Sequence, residues 1–231
     1  MSSKKADAQD RTEKLEEGAL EAISKSEEYI KNNKKNLLIG AIVIVAIIAG
    51  IFGYQNLYRK PQISKAEEAI FQAEHYFGVD SFALALNGNA ADVQGFLEVI
   101  KQYGNTPSGN LAQAYAGICY YNLGEYDKAI EHLKKFKSKD SMANPSIYGL
   151  IGDCYVDMDK TAEGIKYFEE AAKRADNNLL SPRYLIKAGI AYESLGEVDK
   201  ARAHYQTIID KYYESALVGE AYKLLEALEV K

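Results

Sequence analysis

Eighteen consecutive residues, Leu37 to Tyr54 (LLIGAIVIVAIIAGIFGY), contain no charged and no amide side chain. As a helix at ~1.5 Å per residue they span roughly 27 Å, close to the ~30 Å hydrocarbon core of a bilayer. A helix that is apolar on every side needs a protein interior or lipid around it. Lys31, Lys34 and Lys35 precede the run, Arg59 and Lys60 follow it, and Tyr54 and Tyr58 fall where an interfacial aromatic belt belongs. A core helix seldom runs so long without a polar face. A cleaved signal peptide seldom carries a 36-residue leader with eight acids, and no small-x-small cleavage site follows the run. The sequence therefore predicts an uncleaved transmembrane helix over 37–58, with the lipid bilayer as its surroundings. No other segment is long and apolar enough, which excludes a multi-span transporter.

Residues 17–36 carry four basic side chains and residues 55–74 carry three. That small bias places the N-terminus inside and delivers the 171 residues from Pro61 onward to the far side. Within the run, Ala46/Gly50 and Ala49/Gly53 are small residues four apart, the spacing that permits close helix approach in lipid. The alternative is that Ala and Gly are simply common in such helices. Ahead of it, residues 1–36 hold eight basic and eight acidic side chains and a thin stripe of Leu15, Leu20, Ile23 and Ile30. This arm is either a marginal surface helix, with Asp10 and Glu13 placed like a capping box, or a mostly disordered tail.

Beyond the run, apolar residues recur at helical spacing, and three segments align. The first holds Gly117, Tyr120, Leu123-Gly124, Tyr126, Ala129 and Leu133. The second holds Gly152, Tyr155, Met158-Asp159, Gly164, Phe168 and Ala171. The third holds Gly189, Tyr192, Leu195-Gly196, Ala201, Tyr205 and Ile208. The glycines are 35 and 37 residues apart. Each unit reads as two amphipathic helices joined by a tight turn. Such a unit cannot bury its apolar face alone, so neighbours must stack. Thr106-Pro107, Asn144-Pro145 and Ser181-Pro182 each offer an N-cap followed by Pro at the first helical position. They predict where the first helix of each unit starts.

The pattern extends both ways. "GFLEVIKQY" (95–103) aligns with "HYQTIIDKY" (204–212), matching Phe96 to Tyr205, Val99 to Ile208 and Tyr103 to Tyr212. Residues 92–103 then form the second helix of a degenerate repeat, and residues 62–77 its first, with Ala66, Ala69, Ile70, Ala73 and Phe77 inward. Val79 to Ala91 is an insertion. Ser215 to Val230 is a final capping helix with a wet outer surface. The expected organisation is an arm (1–36), a transmembrane helix (37–58), a degenerate repeat with insertion (59–105) and repeats plus cap (106–231).

"YYNLGEYDKAIEHLKKF" and "AYESLGEVDKARAHYQTII" resemble tetratricopeptide repeats (TPRs); "CYVDMDKTAEGIKYFEEAAK" departs in Asp159 for the turn glycine and Gly164 for the usual alanine. The fold class is thus all-α: one transmembrane helix, then a TPR-like α-solenoid of helical hairpins with a capping helix. The resemblance implies that first helices line a concave groove. Its lining would be Leu111, Ala114, Ile118 and Tyr121, then Ser146, Gly149, Leu150, Asp153 and Val156, then Arg183, Ile186, Lys187, Ile190 and Glu193. Arg183 and Lys187 match the later pair of the carboxylate clamp some TPR domains use, but Ala114, Ile118 and Leu150 replace its earlier polar members. An apolar groove suits an extended hydrophobic peptide or a partner helix. The alternative is that the insertion fills part of it.

No phosphate loop, dinucleotide fingerprint or nucleophile elbow occurs, so the reading is of no enzyme, no cofactor and no small-molecule substrate. His132 and His204 occupy equivalent repeat positions and read as surface residues inherited by duplication. Asp153, Asp157 and Asp159 read as a solvated acidic rim, too few oxygens for a calcium loop. Cys119 and Cys154 lie on adjacent first helices. Packed helices sit ~8–10 Å apart and disulfides want Cα atoms within ~7 Å, so two buried free thiols are expected. The chain carries a net charge of −5 without a basic cluster, which argues against nucleic acid.

Taken whole, the layout of arm, signal anchor and TPR domain resembles the bacterial ancillary SecYEG translocon subunit family. The longer arm and the insertion depart from that family's simplest layout. The resemblance implies a scaffold in the bacterial inner membrane, its repeats in the periplasm, linking translocon subunits to periplasmic chaperones or unfolded secretory clients. A TPR module of another envelope-assembly or import-receptor complex has the same layout and stays open, as does, last in order, an enzyme with an unrecognised site.

Overall fold

The computed structural model describes residues 2–89 and 93–229. The chain forms two compact units, residues 1–60 and 61–231.

The first unit is one helix, α1 (Ser2–Gly53), followed by a π-helical turn over Tyr54–Arg59. The arm is thus helical, and the helix begins ahead of the Asp10 cap that the sequence suggested. The π turn comes just before Pro61, which has no N–H to continue an α-helical ladder. Tyr54 and Tyr58 stack at 5.5 Å and Lys60 Nζ donates to Asn56 Oδ1 at 2.7 Å. Leu37, Ile44, Ile48 and Phe52 are exposed, and this is one helix long and apolar enough to cross a membrane. Ala46, Ala49 and Gly50 are exposed and Gly53 half-exposed; a Cβ added at either glycine meets nothing within 4 Å.

The second unit is an α-solenoid of antiparallel hairpins. Its elements are α2 (Lys60–Gly78), α3 (Phe82–Asn87), α4 (Phe96–Tyr103), α5 (Pro107–Asn122), α6 (Tyr126–Lys135), α7 (Ala143–Asp157), α8 (Thr161–Ala175), α9 (Ser181–Ser194), α10 (Val198–Lys211) and α11 (Val218–Glu229). Three hairpins, α5/α6, α7/α8 and α9/α10, are the three aligned repeats. Each packs through its glycine. A Cβ on Gly117 would come within 2.5 Å of Leu133, one on Gly152 within 2.6 Å of Phe168, and one on Gly189 within 2.3 Å of Tyr205. Three residues on, Tyr120 and Tyr155 stack on His132 and Tyr167, each at 5.3 Å, and Tyr192 packs against His204 at 5.2 Å with the rings tilted by 54°. Both histidines are therefore half-buried packing groups rather than surface residues. A ring at that position covers the tyrosine face that its own hairpin would otherwise leave wet.

Each hairpin turns through a left-handed residue: Gly124 (φ 77), Asp159 (φ 59) and Gly196 (φ 75). The amide after it bonds back to the repeat tyrosine: Glu125 to Tyr120, Lys160 to Tyr155, Glu197 to Tyr192, all within 2.8–2.9 Å. This is the Schellman closure, which favours glycine; Asp159 performs it at a steric cost. Gly164, the other departure, is required where it stands, because a Cβ would lie 2.7 Å from Val156 and 2.9 Å from the Gly152 carbonyl.

The predicted helix starts hold once in three. Thr106 caps α5, its Oγ1 accepting from Gly109 N at 3.0 Å with Pro107 first in the helix. Asn144 and Ser181 do not cap. The Asp140 carboxylate accepts from Met142 N and Ala143 N (2.8 and 2.7 Å), so α7 starts two residues earlier, at Ala143. Asn177 Oδ1 accepts from Leu179 N and Leu180 N (2.9 and 2.8 Å), while Ser181 Oγ, buried, donates to Ala172 O. In both cases an acceptor upstream captures the free amides first.

The degenerate repeat is also shorter than expected. α4 starts at Phe96, not at residue 92, because Gly95 is extended and passes within van der Waals range of Gly88 and the Leu86 carbonyl. Residues 90–92 lie outside the described set. Phe96 and Val99 are fully buried, like Tyr205 and Ile208. The insertion contains α3, which packs on α4 and α5 and buries Ala85 and Leu86. Phe77 meets Phe82, Phe96 and Tyr115 at 5.6, 6.2 and 4.9 Å. At the other end α11 buries Ala221 and Leu228 but leaves Tyr222 exposed.

Candidate partner-binding groove

A different glycine lets two adjacent first helices meet. Gly149 on α7 faces Tyr184 on α9, where a Cβ would come within 2.2 Å of the ring. That contact puts one side of α7 against one side of α9 and leaves an open pocket of about 260 Å³ beside it. Asp153, Val156, Phe168, Lys187, Ile190, Ala191 and Ser194 line it. Its floor is apolar, and Ile190 is 49% exposed.

Lys187 Nζ meets both Asp153 oxygens, at 2.8 and 2.7 Å. The ammonium also lies 5.6 Å from the centre of the Phe168 ring. Burial raises the Asp153 carboxyl above the usual carboxylate range, with Lys187 pulling the other way. The pair is half-exposed, so its worth to stability is about 0–1 kcal/mol. Its larger effect is on recognition. Lys187 is held by a carboxylate of its own chain, so it is not a free partner for an incoming acid.

Of the groove residues the sequence singled out, this pocket brings together Asp153, Val156, Lys187 and Ile190. Others stand elsewhere. Ala114 and Ile186 are 7% exposed and Gly149 is buried, so these three pack between repeats. Ile118, Tyr121 and Leu150 are half-buried, while Leu111, Ser146 and Arg183 are exposed but do not line the pocket. Glu193 is half-buried and accepts from the Tyr205 hydroxyl at 2.7 Å. Sequence reasoning missed Phe168, Ala191 and Ser194. Phe168 comes from a second helix, and its repeat position reads only as core. Its ring reaches the pocket because Gly152 has no side chain to cover it.

The acidic rim is divided among separate tasks. Asp153 holds Lys187, Asp157 faces the Tyr121 hydroxyl, and Asp159 makes the turn. Burial, and then the Asp157 carboxylate, push the Tyr121 hydroxyl up. Among the described residues no three His, Cys, Asp or Glu side chains converge as a metal site. Cys119 and Cys154 are free and fully buried. Burial pushes both thiols up to about 12, with Asp153 and Asp157 adding to the effect at Cys154.

Comparison with known proteins agrees with this geometry. Residues 64–171 match the family model described as anaphase-promoting complex, cyclosome, subunit 3, and residues 150–216 match a tetratricopeptide repeat model. A curated relative, the TPR repeat-containing protein MJ1428 of Methanocaldococcus jannaschii, is 29% identical over 134 residues, covering 58% of this chain. The match spans only 22% of that relative's length. Among solved structures, one MamA protein is similar with a TM-score of 0.55 at 21% identity, over 71% of this chain and 80% of that one. A second MamA structure has a TM-score of 0.40 at 25% identity, over 58% of this chain and 86% of that one. The repeat region of this chain is thus built of tetratricopeptide repeats, a fold whose families are typically non-catalytic modules for protein–protein interaction.

Proposed function

We propose that the chain is a non-enzymatic scaffold, anchored in a membrane by the apolar part of α1, whose groove holds an apolar segment of a partner polypeptide. The observation that carries this reading is the pocket at Val156, Phe168, Ile190 and Ala191. Ile190 and part of Val156 are open to solvent over a floor of buried Phe168 and Ala191, beside an ion pair that is already internally satisfied. Such a surface gains from burying a hydrophobic side chain at ~25 cal/mol per Å² and gains little from binding a charged one.

In its finer form the proposal follows the layout. The partner belongs to the Sec translocon neighbourhood of the bacterial inner membrane: a translocon subunit, a periplasmic chaperone or an unfolded secretory client. The N-terminus is cytoplasmic and the repeats are periplasmic. Crosslinking with mass spectrometry in native membranes tests this. Crosslinks from the groove to translocon subunits or their clients are the expected result. Their repeated absence, with crosslinks to an unrelated envelope complex instead, overturns the translocon assignment while leaving the scaffold. Ile190→Asp separates the two levels, since it removes apolar surface at an exposed position. It is expected to weaken groove crosslinks several-fold without changing the melting temperature.

A further inference from the structure

A second cavity, of about 430 Å³, lies among α6, the segment after it, α7 and α8, and it shares no lining residue with the groove pocket. Its size falls within the ~300–1,000 Å³ range of small-ligand sites. The walls are Leu133, Ile147, Ile151, Phe136, Tyr148 and Tyr167. The remaining lining is Lys134, Lys137, Ser138 and Asn144. Every lining group that carries a charge at neutral pH is thus a lysine, in a chain whose net charge is −5.

The cavity exists because α6 stops early. α6 ends at Lys135, whereas α8 runs five residues beyond the equivalent repeat position, to Ala175. Phe136 turns to an extended backbone (φ −64, ψ 133). The Asn110 side chain then holds the next residue on both sides. Its Nδ2 donates to Lys137 O and its Oδ1 accepts from Lys137 N, each at 2.9 Å. In the next repeat that position is Pro145, which has no side-chain amide, and α8 continues as helix.

The charge at this place is also reversed between repeats. Lys134 occupies the position of Glu169. Glu169 accepts from the Tyr192 hydroxyl at 2.9 Å and pairs with His204 at 3.1 Å. Lys134 instead donates to the Tyr155 hydroxyl at 3.3 Å and lies 5.6 Å from the Tyr167 ring centre. Among the described residues neither Lys134 nor Lys137 is within ion-pair distance of a carboxylate.

We propose that this cavity is a binding site for an apolar organic anion, an aryl or acyl carboxylate. The apolar body would sit among Ile147, Ile151 and the aromatic rings, and the carboxylate would meet Lys134 and Lys137. A neutral apolar ligand would cover the two ammonium groups without pairing them, and a cation would be repelled.

Ligand-observed fluorine NMR tests this with the full chain in nanodiscs. The probe is N-acetyl-4-fluorophenylalanine, with its neutral carboxamide and empty discs as references. Saturable binding of the acid is expected, with the carboxamide at least about tenfold weaker, since a charge-assisted contact is lost. The double variant Lys134→Glu, Lys137→Glu is expected to abolish binding. Both positions are exposed, and Glu already occupies the first in the next repeat, so its melting temperature should match the parent's. Competition identifies the source: displacement by laurate points to a free acid, and displacement by a tripeptide ending in phenylalanine points to a polypeptide C-terminus. Either supports the site. Equal binding of acid and carboxamide, unchanged binding in the folded double variant, or no saturable binding above empty discs overturns it.

Discussion

Gly189 and Tyr205 meet so closely that an added methyl would stand 2.3 Å from a ring carbon. The ring is fully buried, and its hydroxyl is tied to Glu193 at 2.7 Å, so it has little room to move. Gly189→Ala is therefore expected to destabilise by about 1–3 kcal/mol, the usual cost of overpacking, as read from the denaturant midpoint. Asp159 offers the reverse case. Its φ of 59 is a conformation that costs a side chain about 1 kcal/mol, so Asp159→Gly is expected to raise the midpoint modestly. The buried thiols set a pH dependence. An unfolded cysteine ionises near ~8.5, while Cys119 and Cys154 are pushed up to about 12 in the fold. The folded values lie above the unfolded one. The stability they contribute is whole below about pH 8.5 and is lost as pH rises towards 12, because the unfolded chain releases protons that the fold retains. Unfolding midpoints measured from pH 8 to 11 should fall, and the fall should flatten in the double variant Cys119→Ala, Cys154→Ala. Tyr192, also pushed up to about 12 by burial and then by Glu169, adds to the residual slope.

At the scale of elements, the hairpins were legible and their ends were not. The Gly, Tyr and Leu-Gly-Glu spacing names α5 to α10 because each of those residues has a packing task inside its own hairpin. The starts of α7 and α9 depend on whether Asp140 or Asn144, and Asn177 or Ser181, reaches the free amides first. That choice is made by the loop conformation. Asp140→Ala removes both capping bonds of α7 and is expected to cost about 1 kcal/mol, visible as faster amide exchange at Met142 and Ala143. Position 95 tells the same story. Aligned with a helical residue of the third repeat, Gly95 instead became the extended end of a loop, because two glycines let the insertion pass close.

Across the whole solenoid, stability is a sum of neighbouring interfaces. α11 covers the last of them, burying Ala221 and Leu228 against the cluster that contains Tyr205, Ile208 and Tyr212. Removing α11 should therefore lower hydrogen-exchange protection most in α9 and α10 and least in α5 and α6. Equal loss everywhere would mean a single cooperative unit instead. The candidate groove was half legible at this scale. Asp153, Lys187 and Ile190 follow from the repeat register together with the groove geometry that the TPR resemblance implies. That Asp153 and Lys187 neutralise each other across a repeat, and that Ala114, Gly149 and Ile186 are consumed in packing, depends on how far each hairpin rotates on the next.

The sequence by itself determined the apolar run that fits a bilayer, the repeat period, the residue types at each packing position and the free state of both cysteines. These are local properties: periodicity, side-chain size and the spacing that a disulfide needs. Only the tertiary structure decided which side of each first helix remains open, which charges are already paired, and where α6 stops short to leave a cavity. Those outcomes rest on contacts between residues 27 to 35 positions apart, such as Asn110 with Lys137 and Asp153 with Lys187. No local pattern encodes them, because the free energy that selects them arises when two hairpins meet.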